Sequence, residues 1–502
     1  MPDKLRILFV SAEVAPFAKV GGLADVAGSL PQCLTELGHD VRIVMPCYRM
    51  VESNPAYGVK PLTPEFRVPI NDGLTRTASV KLTSLGRVPV YLVANDEFFG
   101  ESVDSKSIYR VGADPYIFFS RAVLELVRRL QPEWRPDVIH CNDWHTGLLP
   151  VYLRVLYAAD PWYDSIAALF TIHNLAYQGE FDFPVLAAAG LRDDLYTTDK
   201  LECYGKVNFL KGGIVFSDLV NTVSKTYSQE IQTPEYGCRL DGLLRYMAAL
   251  DKLYGALNGI DTDEFNPATD KRIWANFTAD DLSGKRANKA KLQKSLGFPV
   301  RADVPLFGLI ARLVDQKGLD LIRAACPAFF RRDVQFVVLG SGDPVYETYF
   351  KKLAARLPDK VSVNIGFDAA LAQRIYAGGD FFLMPSRFEP CGLGQMISLR
   401  YGTIPIVRST GGLADTIVDF DADPTAGNGF AFSAYESKQL LATIRRALDA
   451  YRDPQRRPRL LANAFASDFS GYRSAQEYSQ LYAEAAGRAR AKAPCACGVC
   501  SS

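Results

Sequence analysis

The hydrophobic pattern of the chain alternates between short apolar runs and longer amphipathic stretches, most clearly between residues 381 and 418. Residues 381–385 predict a buried strand, and a glycine-containing loop then leads into an amphipathic helix that ends at Gly402. Residues 403–407 predict a second strand, after which Gly411-Gly412 precedes another helix. Ligands of open parallel sheets bind beyond the carboxyl ends of the strands, where helix N-termini attract anions. The pattern therefore favours a phosphate-bearing ligand.

The same strand, loop and helix unit recurs along the chain. Further strands are predicted at residues 6–11, 41–46, 88–95, 168–174 and 305–313. Residues 206–224 predict an amphipathic helix broken at Gly212-Gly213 and then a strand, whereas residues 270–294 predict a solvated helical face. These repeated units predict an α/β fold with two doubly wound domains, and a last helical stretch that packs back on the first domain.

Composition and charge exclude several classes of function. The 502 residues are 48% apolar and 23% charged, and the net charge of +1 gives no electrostatic footprint for nucleic acid or an anionic membrane. No apolar run reaches the ~18 residues of a membrane span, and Glu13 interrupts the N-terminal apolar stretch without a signal-peptide cleavage pattern. We therefore expect a soluble, intracellular protein.

Seven of the ten cysteines are scattered singly, which is typical of buried apolar thiols. Cys495, Cys497 and Cys500 instead form a C-x-C-x-x-C pattern that could hold a metal or act in redox chemistry. No fourth ligand is evident and chain termini are usually disordered, so we expect no metal there.

Several polar side chains follow predicted strands. Lys19 and Gly21-Gly22 lie at a strand-to-helix turn, where glycine lets backbone approach a ligand and lysine supplies a cation, although this short motif alone favours a tight turn with a surface lysine. His140 and His145 have the spacing of a zinc pair, but no third ligand lies nearby and the spacing falls on a turn. Asp143 and its neighbours are better suited to binding sugar hydroxyls.

Three chemistries remain open at this point. A nicotinamide dehydrogenase would need G-x-G-x-x-G, which Gly340-Ser-Gly342 begins but does not complete. A metal-dependent sugar transferase would need D-x-D after a strand, and the matches at 261–263 and 421–423 do not adjoin strong strands. A metal-free transferase would use Arg312 and Lys317 to neutralise a leaving diphosphate, and Glu389 to hold sugar hydroxyls.

Six motifs decide among these chemistries by resemblance. In chain order they are KVGGLADV, HCNDWHTGLLP, FTIHNLAYQG, LNGID, ARLVDQKG and SRFEPCGL with RYGTIPIVRSTGGLADTI. They resemble the bacterial glycogen synthase and plant starch synthase family from residue 7 to about 482. The resemblance implies the GT-B fold, in which two Rossmann-like domains enclose an active-site cleft. It implies retaining transfer of glucose from ADP-glucose to the non-reducing 4-hydroxyl of an α-1,4-glucan, without metal or cofactor.

The resemblance also implies domain boundaries and partners. Residues 1–253, joined by the C-terminal helix 472–492, would form the acceptor-side domain, residues 254–471 the nucleotide-sugar domain, and residues 493–502 a disordered cysteine-containing tail. ADP-glucose and a glucan such as glycogen or starch are the expected partners, with no nucleic acid and no membrane; the oligomeric state is not predicted. The expected location is the bacterial cytoplasm, or the plastid stroma if the source is a plant.

Five catalytic residues follow from the resemblance. His173 matches the histidine near the transferred glucose, and Asp143 matches a carboxylate of the acceptor side. Arg312 and Lys317 match the diphosphate-binding pair, and Glu389 matches the donor-sugar site.

The remaining matched residues form a substrate-binding set. The KVGG loop resembles a donor-phosphate loop, and the aromatic ring at 367 takes the place of a tyrosine over the adenine. The set comprises Lys19, Gly21, Gly22, Asp25, Asn174, Asn258, Phe367, Cys391, Gly392, Gly411 and Gly412.

Two positions depart from the family pattern, and two other functions stay open. Gly394 replaces a threonine beside the phosphates, and Gly471 replaces a tryptophan before the last helix. One alternative is a related retaining transferase with another nucleotide sugar or acceptor. The other is a catalytically weak relative that binds glucan as a scaffold.

Overall fold

The computed structural model of the protein describes residues 4–109 and 111–492. Its contacts divide the chain into two compact units. Unit 1 contains the described residues up to Val223, Ser228–Gly259 and those from Gly471 onward, and unit 2 contains Ser224–Tyr227 and Ile260–Ser470. The sequence-based boundaries fall after residues 253 and 471. The cysteine-containing tail, residues 493–502, lies outside the described residues.

The strands of unit 1 are β1 (Arg6–Val10), β2 (Asp40–Pro46), β3 (Lys60–Asn71), β4 (Leu74–Leu85), β5 (Val88–Ala94), β6 (Val138–Asn142), β7 (Ala167–Ile172), β8 (Glu180–Phe181), β9 (Glu202–Cys203), β10 (Lys206–Asn208), β11 (Leu219–Thr222) and β12 (Leu253–Gly255). Its helices are α1 (Gly22–Glu36), α2 (Arg49–Glu52), α3 (Asp96–Phe99), α4 (Asp114–Arg129), α5 (Leu148–Val155), α6 (Val185–Ala188), α7 (Phe209–Phe216), α8 (Lys225–Glu230, of which the residues after Tyr227 belong here), α9 (Asp241–Ala249) and α18 (Gly471–Lys492).

The main sheet of unit 1 is largely parallel. Across the described residues its strand order is β12-β11-β7-β6-β1-β2-β5-β4-β3, with β3 and β4 forming an antiparallel hairpin at one end. β1 pairs in parallel with β2 on one side and with β6 on the other. The strands that follow β1 are therefore added on one side of it and those from β6 onward on the other, so the strand order reverses between β1 and β6. Such a reversal leaves a crevice beyond the carboxyl ends of the two strands, where ligands bind.

The last helix, α18, packs on this sheet through buried aromatic side chains. Tyr478 and Tyr482 are fully buried. Tyr482 Oη lies 2.8 Å from His140 Nδ1, and Asn221 Nδ2 donates to Tyr478 Oη at 3.1 Å. Because buried polar groups are costly to leave unpaired, these bonds fix the helix against the sheet.

The predicted helix break at Gly212-Gly213 is wrong. The structure forms β10 first and then runs α7 continuously through both glycines. A Cβ atom on Gly213 would lie 2.3 Å from the ring of Phe170 on β7, and one on Gly212 would lie 2.7 Å from Leu201. The glycines therefore allow close helix-to-sheet packing and do not interrupt the helix.

The strands of unit 2 are β13 (Leu306–Ile310), β14 (Gln335–Gly340), β15 (Val361–Ile365), β16 (Phe381–Met384), β17 (Ile404–Arg408) and β18 (Phe430–Phe432). Its helices are α10 (Ser283–Ser295), α11 (Leu319–Phe329), α12 (Pro344–Arg356), α13 (Ala369–Gly378), α14 (Gly394–Arg400), α15 (Gly411–Thr416), α16 (Ser437–Arg452) and α17 (Arg456–Ala466).

These strands form a parallel sheet in the order β15-β14-β13-β16-β17-β18. The order reverses between β13 and β16, so the loops that follow these two strands flank the second crevice. The sequences of β13 and β16 are continuous apolar runs, as expected for strands that are buried on both faces of a parallel sheet.

The prediction of a solvated helical face for residues 270–294 is also wrong. Lys285 of α10 is buried, and its Nζ donates to the Tyr401 carbonyl at 2.8 Å and to Thr403 Oγ1 at 2.9 Å. Burial lowers the pKa of Lys285 to about 7. A run of lysines favours a solvated face, but here the Tyr401 carbonyl at the end of α14 and the Thr403 hydroxyl group before β17 satisfy the buried ammonium group.

The described helices include none that combines the length and the apolar character needed to cross a membrane.

Candidate active site

In unit 1, three polar segments gather at the reversal between β1 and β6. The KVGG loop follows β1, Asp143 follows β6, and His173 follows the neighbouring β7. Because the three strands are parallel, their carboxyl ends meet at one edge of the sheet. The structure thus brings these predicted residues together within one unit.

The KVGG loop is held by a buried carboxylate, Glu13. Its Oε2 accepts hydrogen bonds from the backbone N–H groups of Val20 at 2.6 Å and Gly21 at 2.9 Å, and the Tyr109 hydroxyl group donates to Oε1. Glu13 is only 4% exposed. Glu13 was not among the residues predicted from the sequence, since a single glutamate in an apolar stretch carries no periodic signal. A glutamate beyond a strand and just before a glycine turn is the clue that could have found it.

Lys19 and Asp25, both predicted to bind substrate, form an ion pair with Nζ and Oδ1 2.5 Å apart. Both side chains are partly exposed. Gly22 begins α1, and Gly21 precedes it in an extended conformation. The loop therefore carries a lysine–aspartate ion pair at the start of a long helix, whose N-terminus carries the positive end of the helix dipole.

Asp143 lies in a strained and buried position. Its φ of 57° with ψ of 178° is rare for a residue other than glycine. Its Oδ1 accepts from the backbone N–H of His173 at 2.7 Å, and the backbone of Asn174 also hydrogen-bonds to the carboxylate. Burial raises the pKa of Asp143 to about 7, although these backbone donors act in the opposite direction.

His173 is buried and bonded to Asn142. Its Nε2 lies 2.9 Å from Asn142 Oδ1, and burial lowers its pKa to about 3, which keeps the ring neutral at physiological pH. Asn142 is fully buried and is therefore a partner of His173, not a residue exposed to sugar. The side chain of Asn174 accepts from Ala176 N at 3.1 Å.

The two histidines at the spacing of a zinc pair do not converge. His140 contacts Tyr482 and Thr171 in the core, whereas His145 stacks on Trp144 with ring centroids 4.2 Å apart. Across residues 4–109 and 111–492, no group of three or more His, Cys, Asp and Glu residues is arranged to hold a metal ion.

Asn258, also predicted to bind substrate, lies at the end of the second segment of unit 1. Its side chain is buried, and its Oδ1 has no hydrogen-bond partner among the described residues. Buried acceptors of this kind are rare in native proteins.

In unit 2, the charged residues flank the reversal between β13 and β16. Arg312 and Lys317 follow β13, and Glu389 follows β16. Lys317 Nζ lies 2.6 Å from Glu389 Oε2, which also accepts from Ser386 Oγ at 3.0 Å. Glu389 is 5% exposed, and its Oε1 has no partner within the described part of the chain. Arg312 is exposed.

Three glycines allow the loops of this crevice to approach one another. Gly318 has a left-handed φ of 69°, and a Cβ there would lie 1.9 Å from the Pro385 carbonyl oxygen. Gly411 has φ of 45°, and a Cβ there would lie 2.0 Å from the Glu389 carbonyl oxygen. Gly412 N donates to that same oxygen at 3.1 Å. Only glycine fits these positions, and the contacts fix the segment that carries Glu389.

Cys391 and Gly392 continue this segment, and the side chain of Gln395 stabilises it. Gln395 Nε2 donates to the Cys391 carbonyl at 3.1 Å and to the Gly392 carbonyl at 2.9 Å. Cys391 is buried. These contacts shape the backbone before α14.

Gly394 is the first residue of α14, at the position where the family pattern has a threonine. A Cβ at this position would lie 2.9 Å from the ring of Phe382 and 3.3 Å from Tyr376 Oη. A side chain here would therefore begin against the core rings, so the glycine suits the local packing.

Phe367, the ring expected to stack on adenine, is 82% exposed after β15. In the parallel sheet β14 separates β15 from β13, so Phe367 lies at the same edge as the charged loops but two strands away.

Comparisons with known proteins agree with this architecture. Residues 6–246 match the family model for the starch synthase catalytic domain, and residues 291–464 match the model for glycosyl transferases group 1. The glycogen synthase of Moorella thermoacetica is 51% identical, covering 98% of this chain and 99% of its own.

Two solved structures are similar to the chain. The catalytic domain of starch synthase IV from Arabidopsis thaliana, bound to ADP and acarbose, is 37% identical with a TM-score of 0.89, covering 97% of this chain and 100% of its own. The sucrose-phosphate synthase of Thermosynechococcus elongatus, 17% identical over 95% of this chain and 98% of its own, has a TM-score of 0.58 and supports the fold alone. The predicted GT-B fold is confirmed, and the chain belongs to the glycogen synthase and starch synthase family of glycosyltransferases.

Proposed function

We propose that the protein elongates an α-1,4-glucan by transferring glucose from ADP-glucose to the 4-hydroxyl group at its non-reducing end, with retention of configuration. The observation that carries this proposal is the ion pair between Lys317 and Glu389 at the reversal point of the unit 2 sheet. The pair sets a cation beside a carboxylate where ligands of such sheets bind, which supports a diphosphate as the partner of Lys317 and sugar hydroxyls as the partners of Glu389. The ADP-bound starch synthase relative supports the adenine nucleotide.

Unit 2 would bind the donor. Lys317 and Arg312 would neutralise the diphosphate, and the exposed ring of Phe367 would stack on the adenine. Glu389 uses only Oε2 toward protein partners, so Oε1 can accept a hydrogen bond from a hydroxyl group of the transferred glucose. The backbone at Gly411 and the following helix would contact phosphate.

Unit 1 would supply the acceptor side and further donor contacts. Lys19, which is paired with Asp25 in this structure, would turn to a phosphate at the start of α1, where the helix N-terminus is also positive. Asp143 and His173 lie together at the ends of β6 and β7, where they would orient hydroxyl groups of the sugars.

The transfer needs charge stabilisation more than a covalent nucleophile. As the bond between the anomeric carbon and the diphosphate oxygen breaks, negative charge grows on the diphosphate, and Lys317 and Arg312 stabilise it. The acceptor 4-hydroxyl oxygen forms the new bond to that carbon on the same face, while its proton passes to the departing diphosphate oxygen. These two cations supply the neutralisation that D-x-D enzymes obtain from a divalent ion.

Two alternatives compete with this proposal. One is a related retaining transferase with a different nucleotide sugar or acceptor, which would use much of the same site. The other is a scaffold that binds glucan and needs no sugar donor. The bacterial source of the glycogen synthase relative favours the cytoplasm over the plastid stroma as the place of action.

The test is incorporation of radiolabelled glucose into glycogen from ADP-glucose and from UDP-glucose, with EDTA present. Wild type is compared with Glu389→Ala and with Glu436→Ala, which removes an exposed glutamate of the same unit. Digestion of the product by an α-1,4-specific glucosidase checks linkage and anomer.

We expect EDTA-resistant incorporation from ADP-glucose, retained in Glu436→Ala and lost in Glu389→Ala. A clear preference for UDP-glucose would show that ADP-glucose is not the donor and would favour the related transferase. Glucan binding without incorporation from either donor would favour the scaffold.

A further inference from the structure

The side-chain amide of Asn142 has one fixed orientation. Its Nδ2 donates to the Val10 carbonyl at 3.0 Å and lies 3.4 Å from the His140 carbonyl. Turning the amide over would place Oδ1 against both carbonyl oxygens, which is repulsive. Oδ1 must therefore face His173.

This orientation determines which nitrogen of His173 carries hydrogen. Oδ1 can only accept a hydrogen bond, and it lies 2.9 Å from Nε2, so Nε2 must be the protonated nitrogen. Because burial lowers the pKa of His173 to about 3, the ring carries one hydrogen at neutral pH. Nδ1 is left with a lone pair.

Nδ1 of His173 is available to a ligand. Nδ1 makes no hydrogen bond within the described ranges. It is also not one of the polar atoms there that are both inaccessible to solvent and without a partner, so it remains accessible. A lone pair binds groups that donate hydrogen, such as a sugar hydroxyl. It does not bind a phosphate oxygen, which has no hydrogen to donate at neutral pH.

We propose that Asn142 is a positioning residue that holds His173 in the Nε2–H tautomer, so that His173 accepts a hydrogen bond from a sugar hydroxyl. In this role His173 neither donates a proton to the diphosphate nor adds positive charge to the site. The inference rests on the proposed sugar transfer for the identity of the ligand, but the tautomer itself does not depend on it.

The tautomer can be measured directly in the full-length wild type. With ¹⁵N-labelled histidine only four rings contribute to the spectrum, and the signals lost in His173→Asn identify this ring. We expect hydrogen on Nε2 and an unprotonated Nδ1 at pH 7. Hydrogen on Nδ1, or a doubly protonated ring at pH 7, would overturn the proposal.

Two substitutions of His173 test the acceptor. The amide of asparagine can place oxygen near the Nδ1 position, whereas glutamine places its amide near Nε2. If a hydroxyl bond to Nδ1 matters, His173→Asn should retain a kcat/KM roughly five- to tenfold above that of His173→Gln, as expected for one neutral hydrogen bond. Equal losses in both variants would contradict the acceptor role.

Removing the amide tests Asn142 itself. Asn142→Leu keeps a similar shape without the acceptor, and Asn221→Leu makes the same change on β11, away from His173. We expect the His173 tautomer to change only in Asn142→Leu, with a fall in kcat/KM of about tenfold relative to the control. An unchanged tautomer in a folded Asn142→Leu would overturn the proposal.

The two proposals can fail separately. If wild type transfers no glucose from either donor while the Nε2–H tautomer is present, the proposed function fails and the role of Asn142 stands. If transfer occurs with the other tautomer, only the positioning role fails.

Discussion

Lys317 Nζ and Glu389 Oε2 lie 2.6 Å apart, and both side chains are mostly shielded from solvent at 18% and 7% exposure. Each charge is therefore the main partner of the other, and removing one leaves the other poorly solvated. The pair adjoins the strand reversal of the sheet, so it is both a structural contact and the centre of the proposed donor site.

We expect Lys317→Ala and Glu389→Ala each to lower kcat/KM for ADP-glucose by roughly 10²- to 10³-fold. The double variant should lose about as much as the worse single variant, because groups that act as a unit are not additive. Steady-state kinetics measure all three, with Lys351→Ala as an exposed-lysine control in the same unit. Additive losses would mean that the two residues act independently.

Glu13 holds the KVGG loop through two backbone N–H groups and a tyrosine. Glu13→Ala leaves these donors unpaired and should raise KM for ADP-glucose and lower kcat/KM by about tenfold or more. Glu13→Gln keeps one accepting oxygen and should lose less. Glu36→Gln, an exposed acid at the end of α1, is the control. Wild-type kinetics in Glu13→Ala would show that the loop does not depend on this carboxylate.

The sequence predicts the charged half of the candidate site better than its supports. Arg312, Lys317 and Glu389 stand just beyond strong apolar runs, and the strand order then determines where they meet. Glu13 follows β1 and Asn142 ends β6, so both also stand at strand ends, but the groups they bond are brought to them only by folding.

The misread helices have a similar cause. The glycine pair at 212–213 is a helix breaker by propensity, but packing against Phe170 requires the absence of a side chain there. Lys285 has the charge of a solvated residue, and only folding brings the carbonyl group of Tyr401, at the end of α14, to its ammonium group. Tertiary contacts outweigh local preference at both places.

Asp143 predicts a pH dependence of stability. In the unfolded chain its carboxyl titrates near pH 4, whereas burial raises its pKa to about 7 in the folded protein. Between these values the folded state holds a proton that the unfolded state has lost, so the free energy of unfolding falls as pH rises. Above pH 7 the carboxyl is ionised in both states, and the destabilisation has reached its full size. Relative to wild type, Asp143→Asn should therefore gain stability between pH 4 and 7, on the order of a few kcal/mol, and then level off.

Urea unfolding of both proteins from pH 4.5 to 8.5 measures this difference. Asp72→Asn, an exposed acid in the turn between β3 and β4, should show no comparable trend. A stability difference that stays flat across this range would show that Asp143 titrates at its ordinary pKa.

Two glycines should respond to alanine in opposite directions. At Gly411 a Cβ would meet the Glu389 carbonyl at 2.0 Å and φ is positive, so Gly411→Ala should destabilise the protein by roughly 1–3 kcal/mol and displace Glu389, lowering kcat/KM. At Gly487, inside α18, nothing lies within 4 Å of the added atom, so Gly487→Ala should stabilise by up to about 1 kcal/mol with unchanged kinetics. Chemical denaturation and ADP-glucose kinetics check both. A well-folded, fully active Gly411→Ala would show that the close approach of this loop to Glu389 is not needed for catalysis.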